Sequence, residues 1–254
     1  MKYIKHVIIF SFLTLFTQVG GVIYLIYLFI QSKIQFKTRL FKLLSFLSVY
    51  LFFTFLIIPF IAFFLGRKAL PLYDDFIQPA NTYTVLMNRH YVSEELYDGL
   101  LEVKEDLKEG GLFLTYLDAN HPFVDGYPLL PHLSHNDGDK LDLAFIYKEE
   151  KFYSPSFSGY GVYYQKENVT CISCKSQGYS QYDFTKYLGW KLRRENSVDI
   201  NKTRKLLEIL TNNKKVRKIF LEPYLKSMMN LSSDKIRFHG CKTVRHDDHI
   251  HIQL

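Results

Sequence analysis

The segment Arg245-His246-Asp247-Asp248-His249-Ile250-His251-Ile252-Gln253 stands near the end of the chain, and Ser134-His135-Asn136-Asp137-Gly138-Asp139-Lys140-Leu141-Asp142 stands about a hundred residues before it. Alternation of His249 and His251 with Ile250 and Ile252 predicts a strand, because residues two apart share a face. Both imidazoles then enter one cavity while the isoleucines pack behind them. Leu141 to Tyr147, LDLAFIY, predicts a second strand with Asp142 at its start. Gly138 permits the tight turn that folds His135 back toward Asp142. The resulting H-x6-D and H-x-H donors suit a single zinc ion, which favours nitrogen and oxygen ligands at about 2 Å. A catalytic zinc site uses three protein ligands plus water. The expected reaction class is metal-assisted hydrolysis.

These two short segments hold four histidines, and His132 stands just before the first, which is more than three ligands require. A non-ligand imidazole beside an open metal position can take a proton or stabilise an oxyanion. His249 is the candidate for that role. His246 is a further catalytic candidate that also fits the surroundings of the metal or the substrate, and His132 is a candidate for those surroundings. His6, His90, His121 and His239 receive no role.

Around these segments the pattern predicts a mixed α+β domain over residues 111–254, preceded by a connector and amphipathic helix over 69–110 and an anchor over 1–68. Residues 66–88, with Pro71 and Pro79, read as a linker. Ser93 opens a helical stretch to Glu109, with Leu96, Leu100, Val103 and Leu107 on one face and Gly110-Gly111 as its stop. Leu112 to Leu117 reads as a short strand, and Asp118 to Pro131 as a loop rich in turn formers. Residues 151–180 form a long Tyr/Ser/Gly-rich excursion without helical period. Tyr182–Arg194 and Lys202–Met229 contain helical segments, the second broken near Asn212-Asn213 and at Pro223. Ile236–Phe238 and His249–Gln253 close the chain as strands. Three N-x-S/T sequons, at Asn168, Asn201 and Asn230, matter only in a glycosylating pathway.

Two apolar runs, 6–30 and 43–65, each exceed the roughly 20 residues needed to cross a bilayer and predict two membrane helices. The first is longer than a signal h-region and lacks a small-residue cleavage site. Residues 1–68 carry eight basic side chains and no acid, so the remainder of the chain sums to −1 of the total +7. The basic character belongs to the anchor and does not point to nucleic acid. Lys33, Lys37, Arg39 and Lys42 between the runs favour a cytoplasmic loop. Both termini and the domain are then expected on the extracytoplasmic side. Cys171-x-x-Cys174 with Cys241 allows a redox pair, half a zinc ribbon, or a disulfide between two of the three cysteines. The ribbon lacks its second C-x-x-C, and the disulfide suits an oxidising compartment.

Ser134-His135-x-x-Gly138-x-x-x-Asp142 with His246-x-x-His249-x-His251 resembles the motif set of the penicillin-insensitive murein endopeptidases. These belong to the D-Ala-D-Ala-type zinc peptidases that share H-x6-D and H-x-H. The resemblance covers at most residues 110–254. It implies zinc on His135, Asp142 and His251, His249 as the catalytic histidine, and His132 and His246 near the metal. It further implies a small mixed sheet flanked by helices, acting on peptide cross-links of periplasmic peptidoglycan. Lys140 and Gln253 depart from the family pattern, which often has an acid and a base at those places, and two spans replace its cleaved signal. D,D-carboxypeptidase or amidase activity on another peptide, a silent zinc-binding ectodomain with Asp248 or His132 as a fourth ligand, and a thiol-disulfide protein are the competing expectations.

Overall fold

Thr17-Gln18-Val19-Gly20-Gly21 interrupts the first apolar run, which therefore does not form one long helix. The computed structural model describes residues 2–34, 38–148, 151–165, 168–179, 181 and 198–254. In it α1 (Lys2–Thr17) and α2 (Gly20–Lys33) are separate. Gln18 adopts a left-handed φ of 65°, and the Thr17 hydroxyl accepts the Gly20 N–H at 2.8 Å. Two adjacent glycines let α2 fold back on α1. A Cβ at Gly21 would lie 2.0 Å from the Thr14 hydroxyl and 2.8 Å from the Phe10 carbonyl. His6 meets Tyr24 at 2.7 Å farther along the same antiparallel pair.

The second run becomes α3 (Arg39–Phe52), a π-helical turn (Phe53–Ile57) and α4 (Ile58–Phe64). Pro59 lacks the N–H that an unbroken α-helix would use and crowds the preceding turn, and a widened turn accommodates both effects. Among the described residues this rod, Arg39–Phe64, is the one helix long and apolar enough to cross a membrane, while Tyr3–Thr17 is a shorter apolar helix.

A two-stranded ribbon of β1 (Arg67–Ala69) and β3 (Tyr91–Ser93) follows α4. Between them lie β2 (Ile77–Pro79) and the short α5 (Thr82–Leu86). The Ser93 side chain caps α6 (Glu94–Glu102) by accepting the Leu96 N–H. After α7 (Lys104–Glu109) the chain turns at Gly111, whose φ is +64°. The segment expected as a linker thus contributes an edge strand, because Ile77 is buried and Gln78 and Pro79 pair with Thr115 and Tyr116.

Among the described residues the main sheet has six strands in the order β2-β4-β5-β8-β6-β7. Its remaining members are β4 (Leu114–Tyr116), β5 (Lys140–Ala144), β6 (Lys218–Phe220), β7 (Ile236–Arg237) and β8 (His249–Gln253). The outer pairs, β2 with β4 and β6 with β7, are parallel, and the inner pairs are antiparallel. The architecture is mixed α+β, a sheet flanked by helices. Leu141, Leu143, Ile250 and Ile252 are fully buried on one face, in a core shared with Leu206, Leu207 and Leu210 of α9 (Ile200–Asn212).

The excursion after β5 contains a helix, α8 (Val169–Ser176), which the absence of apolar period did not suggest. Asn168 starts it by accepting the Cys171 N–H. Helix α9 ends at Asn212 and α10 begins at Pro223 (Pro223–Met228), as the breakers predict. The helical segment expected over 182–194 lies outside the described residues.

Candidate metal centre

Register places the centre. Asp142 on β5 is directly opposite His251 on β8, and Ala144 is opposite His249. Ala144 leaves room beside the larger His249 ring, and Phe220 of β6 flanks His251 from the other side. One face of the two central strands therefore carries Asp142, His249 and His251, and the other carries the apolar core.

His135 arrives from the loop before β5. Its Nδ1 is 2.8 Å from the Ala119 carbonyl, so Nδ1–H donates there and Nε2 faces the sheet. That Nε2 lies 3.2 Å from Asp142 Oδ1 and 3.2 Å from His251 Nδ1. His251 Nδ1 is 2.8 Å from the same carboxylate oxygen. Three donors held about 2 Å from one tetrahedral ion stand roughly 3.3 Å apart. His132, His135 and Asp142 also have donor atoms mutually within 4.8 Å and form a group that could hold a metal ion. His132 Nδ1 lies 3.3 Å from both Asp118 Oδ2 and Asp142 Oδ2.

His249 is set by its neighbour in sequence. Its Nδ1 meets Asp248 Oδ1 at 2.5 Å, and Asp248 Oδ2 accepts the Gly161 N–H at 2.6 Å. With Nδ1 committed, Nε2 points toward the cluster, 3.8 Å from Asp142 Oδ1. Asp248 is thereby engaged by His249 and Gly161. Asp247 is turned away into a buried network with Arg245, Asn168 and Tyr224. The His246 ring stands 4.9 Å from that of His249.

Protonation suits metal binding at Asp142 and His251 and disfavours it at His132. Burial alone would raise the Asp142 carboxyl, yet His135 and His249 hold it well below the usual carboxylate range. Burial pushes His251 down to about 4 and His246 well below its ordinary value. Metal ligands must be deprotonated carboxylates and neutral imidazoles, and Asp142 and His251 meet that condition. Burial also opposes the cationic forms of His132 and His249. Asp118 and Asp142 nevertheless lift His132 to about 9, and Asp142 and Asp248 raise His249.

Several participants carried no signal in the sequence. Tyr160 donates to Asp142 Oδ2 at 2.8 Å and reaches Asp118 Oδ2 at 3.3 Å. Arg89 pairs with Asp118 at 2.8 Å; Arg89, Asp118 and Asp142 are buried, and Tyr160 is partly buried. His239, given no role in advance, lines the same cavity as His132, Leu133, His246 and Val244, a space of about 420 Å³. His90 and His121 lie outside it. His121 Nδ1 is 3.3 Å from the Asn88 carbonyl oxygen, and His6 is on α1. The cysteines resolve as a Cys174–Cys241 disulfide with Cys171 a buried thiol. The C-x-x-C is therefore not a closed redox pair.

No protein-family model matches this sequence, and no curated protein matches it significantly. The residues at the centre are the basis for a functional reading.

Proposed function

We propose that this chain is a membrane-anchored metal-dependent hydrolase. Within that class, the motif resemblance points to a zinc peptidase of the murein endopeptidase type, cutting peptide cross-links in peptidoglycan. The observation that carries the reading is the approach of His135 Nε2, Asp142 Oδ1 and His251 Nδ1 to within 3.2 Å of one another, beside an open cavity. Those three residues would hold zinc, which when bound supplies Lewis acidity toward an amide carbonyl and its water. His249 Nε2 moves the proton. Asp248 fixes the His249 tautomer and orientation, as a carboxylate behind a catalytic imidazole does elsewhere. His246 and His132 flank the cavity where substrate binds.

Charge distribution supports an extracytoplasmic domain. Lys2, Lys5, Lys33, Lys37, Arg39 and Lys42 lie in sequence at or between the helix ends remote from the Gln18 elbow, and Arg67 and Lys68 follow α4. The basic excess belongs on the cytoplasmic side. Because the first run folds back on itself, this reading puts the N-terminus opposite the domain, which revises the expectation that the two share a side.

The test uses full-length protein in micelles, with zinc counted by elemental analysis and muropeptide products weighed by mass spectrometry. Wild type binds one zinc and cleaves cross-links in a chelator-sensitive way. His251→Ala loses the metal. His249→Ala keeps it and loses about 10²-fold or more in turnover. Full turnover in either variant overturns the assigned roles. Near-complete burial of the donors favours a second reading, a silent zinc-binding ectodomain. Zinc without turnover on any muropeptide selects that one, and release of a terminal residue alone selects a carboxypeptidase.

A further inference from the structure

We propose that the membrane anchor is a working part of the metal centre. The elbow at Gln18 positions the loop that delivers His132 and His135. The inference rests on the metal reading for its consequence but not for its geometry.

From Leu117 to Asp139 the chain forms no helix and no strand beyond a single bridge, at Asn120, yet this stretch carries two of the histidines at the centre. Its beginning is held by Asn120, whose side-chain amide donates to the carbonyls of Tyr91 and Lys140. Its middle is gripped from the anchor. The Phe123 N–H donates to Gln18 Oε1 at 2.8 Å, Gln18 Nε2 donates to the Val124 carbonyl at 3.4 Å, and the Tyr127 hydroxyl donates to the Thr14 carbonyl at 2.6 Å. The Phe123 ring packs against a cluster of Val19, Ile23, Tyr50, Ile58 and Ala62, all anchor residues, with Tyr91.

Arg67, one residue beyond the end of the last anchor turn at Gly66, adds a second grip. Its guanidinium pairs with Asp125 and lies over Gly138, where a Cβ would have no room. The gripped segment connects directly to the site, because the Gly126 N–H donates to the Asn136 carbonyl at 2.7 Å, one residue past His135. Gln18 is buried and left-handed, a conformation that side chains rarely adopt. Both of its amide atoms are used on the loop. A side chain that only needed to end a helix would not reach across to pair both its donor and its acceptor with one segment 105 residues away.

The physical consequence is that the anchor restrains a metal loop with little regular structure of its own. Groups that orient ligands from outside the coordination sphere typically contribute 10–100-fold to metal affinity. Gln18 and Tyr127 are positioning residues in this sense.

The experiment compares full-length wild type, Gln18→Leu and Tyr127→Phe in micelles, with Ser32→Ala on the exposed far end of α2 as control. Amide hydrogen exchange is followed in metal-free protein, and zinc affinity is measured by competition with a chromophoric chelator. Gln18→Leu is expected to speed exchange at Gly126 and His135 about tenfold while leaving Leu143 and Ile250 of the central strands unchanged. Zinc affinity should fall about tenfold, with Tyr127→Phe showing smaller changes of the same kind. Unchanged loop protection in Gln18→Leu overturns the proposal. So does a loss of protection that spreads equally to Leu143 and Ile250, which would mark a general folding role. Should wild type bind no zinc while the loop still loosens selectively, the metal reading fails and the coupling stands.

Discussion

Asp248 shows how one side chain can direct a neighbour's chemistry without touching a metal. Its two oxygens are divided between His249 Nδ1 and the Gly161 N–H, so the imidazole presents Nε2 to the cluster in one tautomer. Asp248→Asn removes the charge that favours Nδ1–H there. The variant is expected to retain stoichiometric zinc and to lose on the order of 10²-fold in kcat. Elemental analysis beside a muropeptide cleavage assay checks this, and unchanged kcat would remove Asp248 from the proposed mechanism. The sequence placed Asp248 next to His249, but adjacency on a strand ordinarily sends side chains to opposite faces. The pairing is possible because Asp248 precedes β8, where the backbone is not yet extended into the ladder. Tyr160, Arg89 and Asp118 were illegible for a simpler reason. They come from three separate segments, and none has a spacing that signals the others.

At the scale of elements, the β5–β8 pair does two jobs with one alternation. Even spacing puts Asp142 and His251 opposite each other on the functional face, and the same spacing puts Leu143 and Ile250 opposite each other in the core. A slip of one residue would exchange the faces, so apolar packing and donor alignment enforce the same register. Ile250→Ala removes a fully buried side chain and is expected to cost about 2–5 kcal/mol. Thermal unfolding followed by circular dichroism checks it, with zinc stoichiometry of the folded protein retained. The alternation was readable in advance. The edge strand β2 and the interior strand β6 were not, since three residues carry too little pattern and their pairing depends on partners far along the chain. The elbow between α1 and α2 was hidden by composition, because threonine, valine and glycine hardly interrupt an apolar run while permitting two helices to turn and pack.

For the whole molecule, long-range ties hold the cavity rim and the N-terminal helices to the domain that carries the sheet. The disulfide joins Cys174 of α8 to Cys241, 67 residues later, in the segment that brings His239, Thr243 and Val244 to the cavity. Closing a loop of that length restricts the unfolded chain by an amount on the order of 4 kcal/mol. Cys174→Ser with Cys241→Ser is therefore expected to lower the melting temperature clearly and to leave zinc binding intact. Melting with and without reductant checks this, and a reductant-insensitive wild-type melt would count against the tie. Cys171 does not substitute for either partner, since burial raises its thiol and the side chain is engaged with Gln181. In the N-terminal helices, the grip of Gln18 on Phe123 and Val124 makes elements expected only to tether the domain into neighbours of the loop that carries His132 and His135.

Taken by itself, the sequence determined what short-range periodicity can encode. That includes two strands with His249, His251 and Asp142 facing one way, the helix capped by Ser93, the breaks at Asn212 and Pro223, and a segment, residues 1–68, carrying all of the net positive charge. Tertiary structure alone decided what depends on contacts between distant segments. That includes the order of six strands, the choice of Cys241 for Cys174, the ring of Asp118, Tyr160 and Arg89 around Asp142, and the fold-back at Gln18. The division follows from physics. Facing and capping are set by backbone geometry within a few residues, whereas pairing across the chain is set by which buried polar groups and apolar faces find complements once the whole polypeptide has collapsed.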